Sequence, residues 1–389
     1  MRIVDVCAFY SPQGGGVKTY IRQKMESGPR LGHEIVVIAP GPRDEIVESR
    51  RGAKLVTLAA PALPLDRRYR YFDDEPRLHE ALDRWAPDVV EASSPWGSAS
   101  MVARWPGQAL RSLVMHADPL ATYAYRWFGK LVPRETIDWG FAPFWDHLRR
   151  LDDGFDLIVT AGAGLRQRLT AGGLGKVVTV PMGVEPRTFS PALRDERLRA
   201  ELLAQCQLPP EATLLIGVGR MAAEKRLPMV VQAVAAAAGH VPIGLVLFGA
   251  GKLRGKVIRA IGDNPHIRLF EPVSDRDQFA RLLASADALV HGCEAETFCM
   301  AAAEARSSGL PLIVPDEGGA SDQFVEGRGR RYLSADGADL RDKLIDFVAD
   351  RPFLHRVRAG IDAARVRTTE MHFADLFSIY ESRALRRAA

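Results

Sequence analysis

Short apolar runs separated by amphipathic stretches recur along this chain. Arg2–Ala8 is the first run, followed by Gly14-Gly15-Gly16 and a helical periodicity to about Leu31. Glu34–Ala39, Lys54–Leu58 and Asp88–Ala92 predict further strands, the last after a helix around Leu78–Trp85. Ser112–Met115, Leu157–Thr160 and Lys176–Val180 continue the series, which stops at Pro181. Strands alternating with helices predict a parallel sheet covered on both faces.

The alternation then restarts. Leu214–Val218, Ile243–Phe248, Ile267–Phe270, Ala288–Val290 and Leu312–Val314 predict strands, with helices at Pro228–Ala237, Asp277–Ala284 and Met300–Arg306 between them. Prolines 181, 186, 191, 209 and 210 punctuate the join. The predicted fold is therefore α/β, with two doubly wound, Rossmann-like domains over residues 1–190 and 191–368. A helix within 369–389, amphipathic over Met371–Leu385 and ending in Arg383, Arg386 and Arg387, is expected to pack back on the first domain. Such domains carry ligands at the C-terminal edges of their strands, so a shared cleft is expected. Fold alone leaves the chemistry open.

Composition narrows the choice. A length of 389 residues fits two domains, and a net charge of +4 argues against nucleic acid as the default partner. The four cysteines form no CxxC pair, so neither a disulfide framework nor a zinc site is expected, and a reducing cytoplasm suits them. The N-terminus opens directly into a strand without the flanks of a secretory signal. No apolar run reaches the ~18 residues of a membrane span.

The sharpest chemical feature is Glu296-Thr-Phe-Cys-Met-Ala-Ala-Ala-Glu304, two carboxylates bracketing a loop-to-helix transition after a strand. Backbone N–H groups at Thr297, Phe298, Cys299 and Met300 would open that helix and suit a diphosphate. Glu304 would lie inside the helix, within reach of a ribose, with Glu296 before it. The segment runs on through Gly309-Leu310-Pro311 into a buried strand and the turn Glu317-Gly318-Gly319-Ala320. A random pair of glutamates is more often a solvated surface pair; the context is what changes the reading.

This stretch resembles the E-x7-E region of retaining glycosyltransferases of the GT-B fold, in particular glycosyltransferase family 4. Gly219-Arg220-Met-Ala-Ala-Glu224-Lys225-Arg226 resembles the family's G-R-x-x-x-E-K-G loop, with Arg226 in place of the usual glycine. The resemblance implies that Arg220 and Lys225 hold the donor phosphates, where cations stabilise the leaving diphosphate. It implies that Glu296 contacts the transferred sugar, Glu304 the ribose, and Val273 the nucleobase. Cys299 stands where the family usually has glycine. Gly14-Gly15-Gly16 resembles the family's glycine-rich acceptor-side loop, although Val17, Lys18 and Thr19 follow where an acidic residue is usual. Gly15 and Gly16 also join the donor-contacting set. His116 in Val114-Met-His-Ala-Asp118 resembles the active-site histidine, while a lone histidine in this position equally reads as a structural hydrogen-bonding residue. Pro181-Met-Gly-Val-Glu185, with Phe189 and Pro191 beyond, resembles the inter-domain P-N-G-V-D…F-x-P segment.

Other signals carry less. Asp275-Arg-Asp277 matches a D-x-D string but reads as a helix cap, with Ser274 capping and Asp277 in the first turn. Gly249-Ala-Gly251 lacks the third glycine of a dinucleotide fingerprint. No metal or other cofactor is expected. The segment 123–150 interleaves Tyr125, Trp127, Phe128, Trp139, Phe141, Phe144 and Trp145 with Arg126, Lys130, Arg134, Arg149 and Arg150. That mixture suits a peripheral membrane contact, a sugar-stacking acceptor pocket, or the packed core of a helix pair. Arg67-Arg68-Tyr69-Arg70-Tyr71 could extend the same basic face.

The resulting expectation is a cytoplasmic retaining transferase using a nucleotide-diphosphate sugar, UDP-linked ahead of GDP-linked. Its acceptor is a hydroxyl of a glycan, a glycolipid or another lipid-linked acceptor, or a small molecule, entering near Gly15, Gly16 and His116. An epimerase or phosphorylase on the same fold, or a silent sugar-nucleotide scaffold, are the alternatives.

Overall fold

The computed structural model describes the chain apart from residues 11–14, 65–66, 68, 130, 186, 351, 354–365 and 389. Gly14, Arg68, Lys130 and Pro186 therefore lie outside the described residues. The chain divides into two compact units: Met1–Asp118 with Trp127–Met182 and Thr369–Ala389, and Pro119–Arg126 with Gly183–Thr368.

The first unit is built on eight strands: β1 (Arg2–Val6), β2 (Glu34–Gly41), β3 (Glu45–Glu48), β4 (Lys54–Ala59), β5 (Val89–Ala92), β6 (Leu110–Met115), β7 (Leu157–Thr160) and β8 (Val177–Thr179). They pair in the order β3-β4-β2-β1-β5-β6-β7-β8, parallel except for β3 against β4. The sequence pattern missed β3, whose four residues Glu-Ile-Val-Glu are all exposed at the sheet edge and carry no burial signature. Strand order reverses between β1 and β5, which is where a parallel sheet opens a crevice at its C-terminal edge.

The core of this unit is closed by the helix Thr369–Ala388. Its Phe373, Leu376, Phe377 and Tyr380 are fully buried with Ile3, Cys7, Tyr20 and Ile21. Burying four such side chains is worth several kcal/mol at about 1.5–3 kcal/mol each. Beneath the apolar layer lies a charged one that the strand pattern concealed. Asp5 of β1 pairs in register with Glu91 of β5, and Glu91 with Ser112 of β6. Two carboxylates thus stand side by side on neighbouring strands, both fully buried. Lys24, also fully buried, bridges them from the helix Gly16–Arg30, donating to Asp5 at 2.5 Å and to Glu91. Tyr380 donates to Glu91 at 2.5 Å and lies 3.0 Å from the Ser112 hydroxyl, and Ser93 donates to Asp5 at 2.7 Å. Burial works against the Lys24 charge, but Asp5 and Glu91 raise its pKa well above the ordinary lysine value. Burial raises Glu91, with Lys24 opposing.

The second unit carries β9 (Thr213–Val218), β10 (Ile243–Phe248), β11 (Ile267–Phe270), β12 (Ala288–Val290), β13 (Leu312–Pro315) and β14 (Gly329–Tyr332). All are parallel, in the order β11-β10-β9-β12-β13-β14, with the reversal between β9 and β12. Strand β14 escaped the sequence pattern because Arg330 and Arg331 break its apolar run. The helix Arg276–Ser285 is capped by Asp275, which accepts from the N–H groups of Asp277 and Gln278 at 2.9 Å each. The cap is therefore Asp275 and not Ser274. The segment Pro119–Arg126 belongs to this unit, where Ala121 and Tyr125 pack with Cys293 and Ala295. Among the described residues no helix is long and apolar enough to cross a membrane.

Removing one partner of a buried ion pair strands the other charge and costs about 3–5 kcal/mol. Lys24→Met is expected to lower the urea midpoint of the first unit strongly, and Tyr380→Phe by a smaller step of about 1–3 kcal/mol. An unchanged midpoint for Lys24→Met would show that the triad does not hold the sheet together.

Candidate active site

In the second unit the expected residues gather on the loops leaving β9, β12 and β13. After β9 the chain turns through Gly219 and Arg220 into the short helix Ala223–Lys225. After β12 comes the loop His291–Cys299, and then the helix Met300–Ser307. These loops meet at the strand-order reversal. The Lys225 ammonium donates to Glu296, whose Oε1 also lies 3.6 Å from His291 Nε2. Burial works against the Glu296 charge, yet Lys225 and His291 outweigh it and hold the carboxyl below its ordinary pKa. Lys225 is held above the ordinary lysine value by Glu296 despite its own burial. Arg220 is largely exposed and donates to Glu224 at 3.0 Å.

Two backbone devices fix this loop. Gly318 has φ +78°, and a Cβ there would lie 2.0 Å from the Glu294 carbonyl oxygen; Gly319 donates its N–H to Glu296 O at 2.6 Å. The Glu317–Ala320 turn therefore lies backbone to backbone against the loop carrying Glu296, which only glycine permits. The buried Gln323 side chain donates to Phe298 O at 3.3 Å, and Tyr332 donates to His291 O at 2.8 Å.

Both residues that replace the family's glycines sit in left-handed backbone. Arg226 has φ 47° and donates to Glu294 at 2.9 Å and 3.1 Å, so it neither faces solvent nor stands as an additional free cation. Cys299 has φ 64° and caps the helix at Met300; its buried Sγ lies 3.6 Å from His291 Nε2. Cys299 O accepts from Ala302 and Ala303 at 3.1 Å, so the N–H groups of Met300 and Ala301 precede the first hydrogen bond of the helix. Glu304 is buried one turn on, accepting from Arg276 at 2.8 Å. Arg276 also lies 3.6 Å from Glu185 and stacks 4.8 Å over Phe189. Burial raises the Glu304 pKa, and Arg276 partly offsets it. Val273 is half-buried in the loop between β11 and that helix.

In the first unit His116 follows β6, half-buried, 3.3 Å from Ser93 Oγ and edge-on to Tyr20 at 4.7 Å. It stands at the margin of the buried triad. Gly15 precedes the helix Gly16–Arg30, and a Cβ at Gly15 or Gly16 would meet nothing within 4 Å. Packing does not demand glycine at either position. The aromatic segment is mixed: Trp145 is buried and donates to Asp138 at 3.2 Å, whereas Trp127, Phe128, Leu131 and Trp139 are exposed.

Sequence reasoning missed His291, Arg276, Glu294 and Gln323. His291 alone left a signal, as the first residue after β12 beside the reversal.

Two family models match the chain, "Glycosyltransferase Family 4" over residues 14–188 and "Glycosyl transferases group 1" over residues 199–363. The chain belongs to glycosyltransferase family 4. This enzyme is 29% identical over 384 residues to the GDP-mannose-dependent alpha-(1-6)-phosphatidylinositol dimannoside mannosyltransferase of Mycobacterium tuberculosis, covering 97% of this chain and 95% of that one. It is 27% identical over 350 residues to the GDP-mannose-dependent alpha-mannosyltransferase of Corynebacterium glutamicum, covering 88% and 79%. Its fold matches the sucrose-phosphate synthase of Thermosynechococcus elongatus with a TM-score of 0.73 over the full length of both chains, at 16% identity. The family 4 glycosyltransferase is thus a GT-B enzyme of two Rossmann-like units that uses a nucleotide sugar.

Burial and the nearby Lys24 push the His116 pKa down to about 4, with Asp5 opposing. An unfolded chain takes this proton near 6.5, so the contribution of His116 to stability is lost as pH falls from about 6.5 to about 4. An NMR titration of the imidazole is expected to give a midpoint near the lower value; a midpoint at the ordinary histidine value would refute it.

Proposed function

We propose that this family 4 glycosyltransferase moves mannose from GDP-mannose, with retention of anomeric configuration, to a hydroxyl of a lipid-linked glycan. The observation that carries the donor reading is the Lys225–Glu296 pair at the reversal between β9 and β12, beside the opening turn of the helix at Met300. A diphosphate arriving there takes Lys225, Arg220 and the N–H of Met300, which frees the Glu296 carboxylate for hydroxyls of the sugar. Glu304 then serves the ribose and the loop at Val273 the base. The dependence of the curated relatives on GDP-mannose supports guanine, where the sequence alone favoured uracil.

The chemistry follows from the charges. The bond from the sugar C1 to the phosphate oxygen breaks as the bond from C1 to the acceptor oxygen forms on the same face. The acceptor proton passes to the departing phosphate oxygen, and GDP leaves. Lys225, Arg220 and the helix start stabilise the charge that develops on the diphosphate. His116, neutral at physiological pH, positions the sugar or acceptor through hydrogen bonds, and Gly15 and Gly16 leave room for that approach. No metal is required for any step. The exposed Trp127, Phe128, Leu131 and Trp139 suit peripheral contact with a lipid surface on the cytoplasmic side, where a lipid-linked acceptor would be met.

Three measurements check this. In a thermal-shift panel GDP and GDP-mannose are expected to raise the melting temperature more than UDP and its sugars; about 100-fold excess over Kd corresponds to about 2.7 kcal/mol. Lys225→Ala and Glu296→Gln are expected to lower kcat/KM by about 10²–10³. Near-unsubstituted activity in either variant would remove the site assignment. NMR of the product should show the α-anomer; a free mannose phosphate or an epimerised donor would instead point to phosphorolysis or epimerisation.

A further inference from the structure

We infer that His291 Nε2, Glu296 Oε1 and Cys299 Sγ form a binding site for a thiophilic divalent cation, Zn2+ being the fitting one, and that its occupation blocks the donor. The three ligand atoms lie within 4.8 Å of one another, with His291 Nε2 3.6 Å from Cys299 Sγ and 3.6 Å from Glu296 Oε1. Tetrahedral zinc, with Zn–S near 2.3 Å and Zn–N near 2.0–2.1 Å, requires sulfur–nitrogen and nitrogen–oxygen separations of about 3.4–3.6 Å. Two of the three separations therefore match, and the remaining one, Glu296 Oε1 to Cys299 Sγ, lies within 4.8 Å and closes by side-chain rotation. Two of the three residues are buried, and the loop that carries them is pinned by Gly318, Gly319 and Gln323.

The ligand types select the ion. Sulfur, imidazole nitrogen and one carboxylate oxygen suit zinc, whereas magnesium and calcium take oxygen sets. Left-handed backbone at Cys299, which glycine would adopt freely, here carries a thiol turned toward His291. Binding releases the Cys299 S–H proton to solvent, forms a sulfur–zinc bond and moves Glu296 from the Lys225 ammonium to the cation; water fills the fourth position, and Lys225 turns toward a solvent anion that balances its charge. Lys225 is displaced and Glu296 is occupied, so zinc and a productive donor exclude one another. That last clause rests on the proposed function; the binding of the cation does not.

The full-length chain would be titrated with zinc chloride against a chromophoric chelator, with cobalt chloride as an optical probe and magnesium chloride as control. The expected result is one zinc per chain, a sulfur-to-cobalt charge-transfer band and no competition from magnesium. Cys299→Gly, which the left-handed backbone accommodates, and His291→Asn should each weaken zinc at least about tenfold, while Cys206→Ala, distant in sequence and core-buried, should not. Absence of stoichiometric zinc, absence of the cobalt–sulfur band, or unchanged affinity in Cys299→Gly would each overturn the site. Zinc is further expected to lower the thermal shift given by GDP-mannose. If zinc binds and that shift is unaltered, the blocking clause falls while the site stands. If GDP-mannose gives no shift without zinc, the donor reading fails on its own.

Discussion

One ion pair, Lys225 with Glu296, organises the second unit. It joins loops that leave β9 and β12, the two strands between which the order of the sheet reverses. Neither charge could remain there alone, because a half-buried ion without a partner is too costly. The pair explains why its surroundings are so constrained: Gly318 and Gly319 against the backbone of 294–298, Gln323 on Phe298, and Arg226 on Glu294. It also suits a site that alternates between empty and loaded. An anion that takes Lys225 while a polyol takes Glu296 exchanges one set of partners for another, and no bare charge is exposed to the interior at any stage.

The first unit uses charge differently. Asp5, Glu91 and Lys24 are sealed from solvent; Tyr380 and Ser93 donate to their remaining oxygens, and Ser112 lies against the Tyr380 hydroxyl. Such a network has no exchangeable partner and works as architecture. Its influence reaches outward through Ser93 to His116, whose imidazole is kept neutral by burial and by the Lys24 charge.

The strand-helix alternation was legible because buried parallel strands write continuous apolar runs; the spacing of Glu296 and Glu304 marked a loop and a helix start, whereas Arg220 and Lys225 entered through a family resemblance. Strands β3 and β14 were not, since exposed or arginine-interrupted segments carry no such run. The buried triad was hidden for the opposite reason: Asp5 and Glu91 each interrupt an apolar strand by one residue, and their partners Lys24 and Tyr380 lie far away in sequence. Arg276 and His291 were missed because nothing local shows that Arg276 reaches Glu304, or that His291 stands beside Cys299. The expectation of no zinc site rests on the absence of paired cysteines, a criterion that does not weigh single-thiol sets on one loop such as His291, Glu296 and Cys299.

The placement of Thr369–Ala388 bears on biosynthesis. This helix supplies Phe373, Leu376, Phe377 and Tyr380 to a core whose other buried members lie between Ile3 and Val180. A ribosome therefore delivers the second unit in full before the first can close. Until then β1 and β5 emerge with an uncovered apolar face and with Glu91 lacking its tyrosine donor. The unit made first is completed last, and during that interval its apolar face lacks the cover that Phe373, Phe377 and Tyr380 later provide.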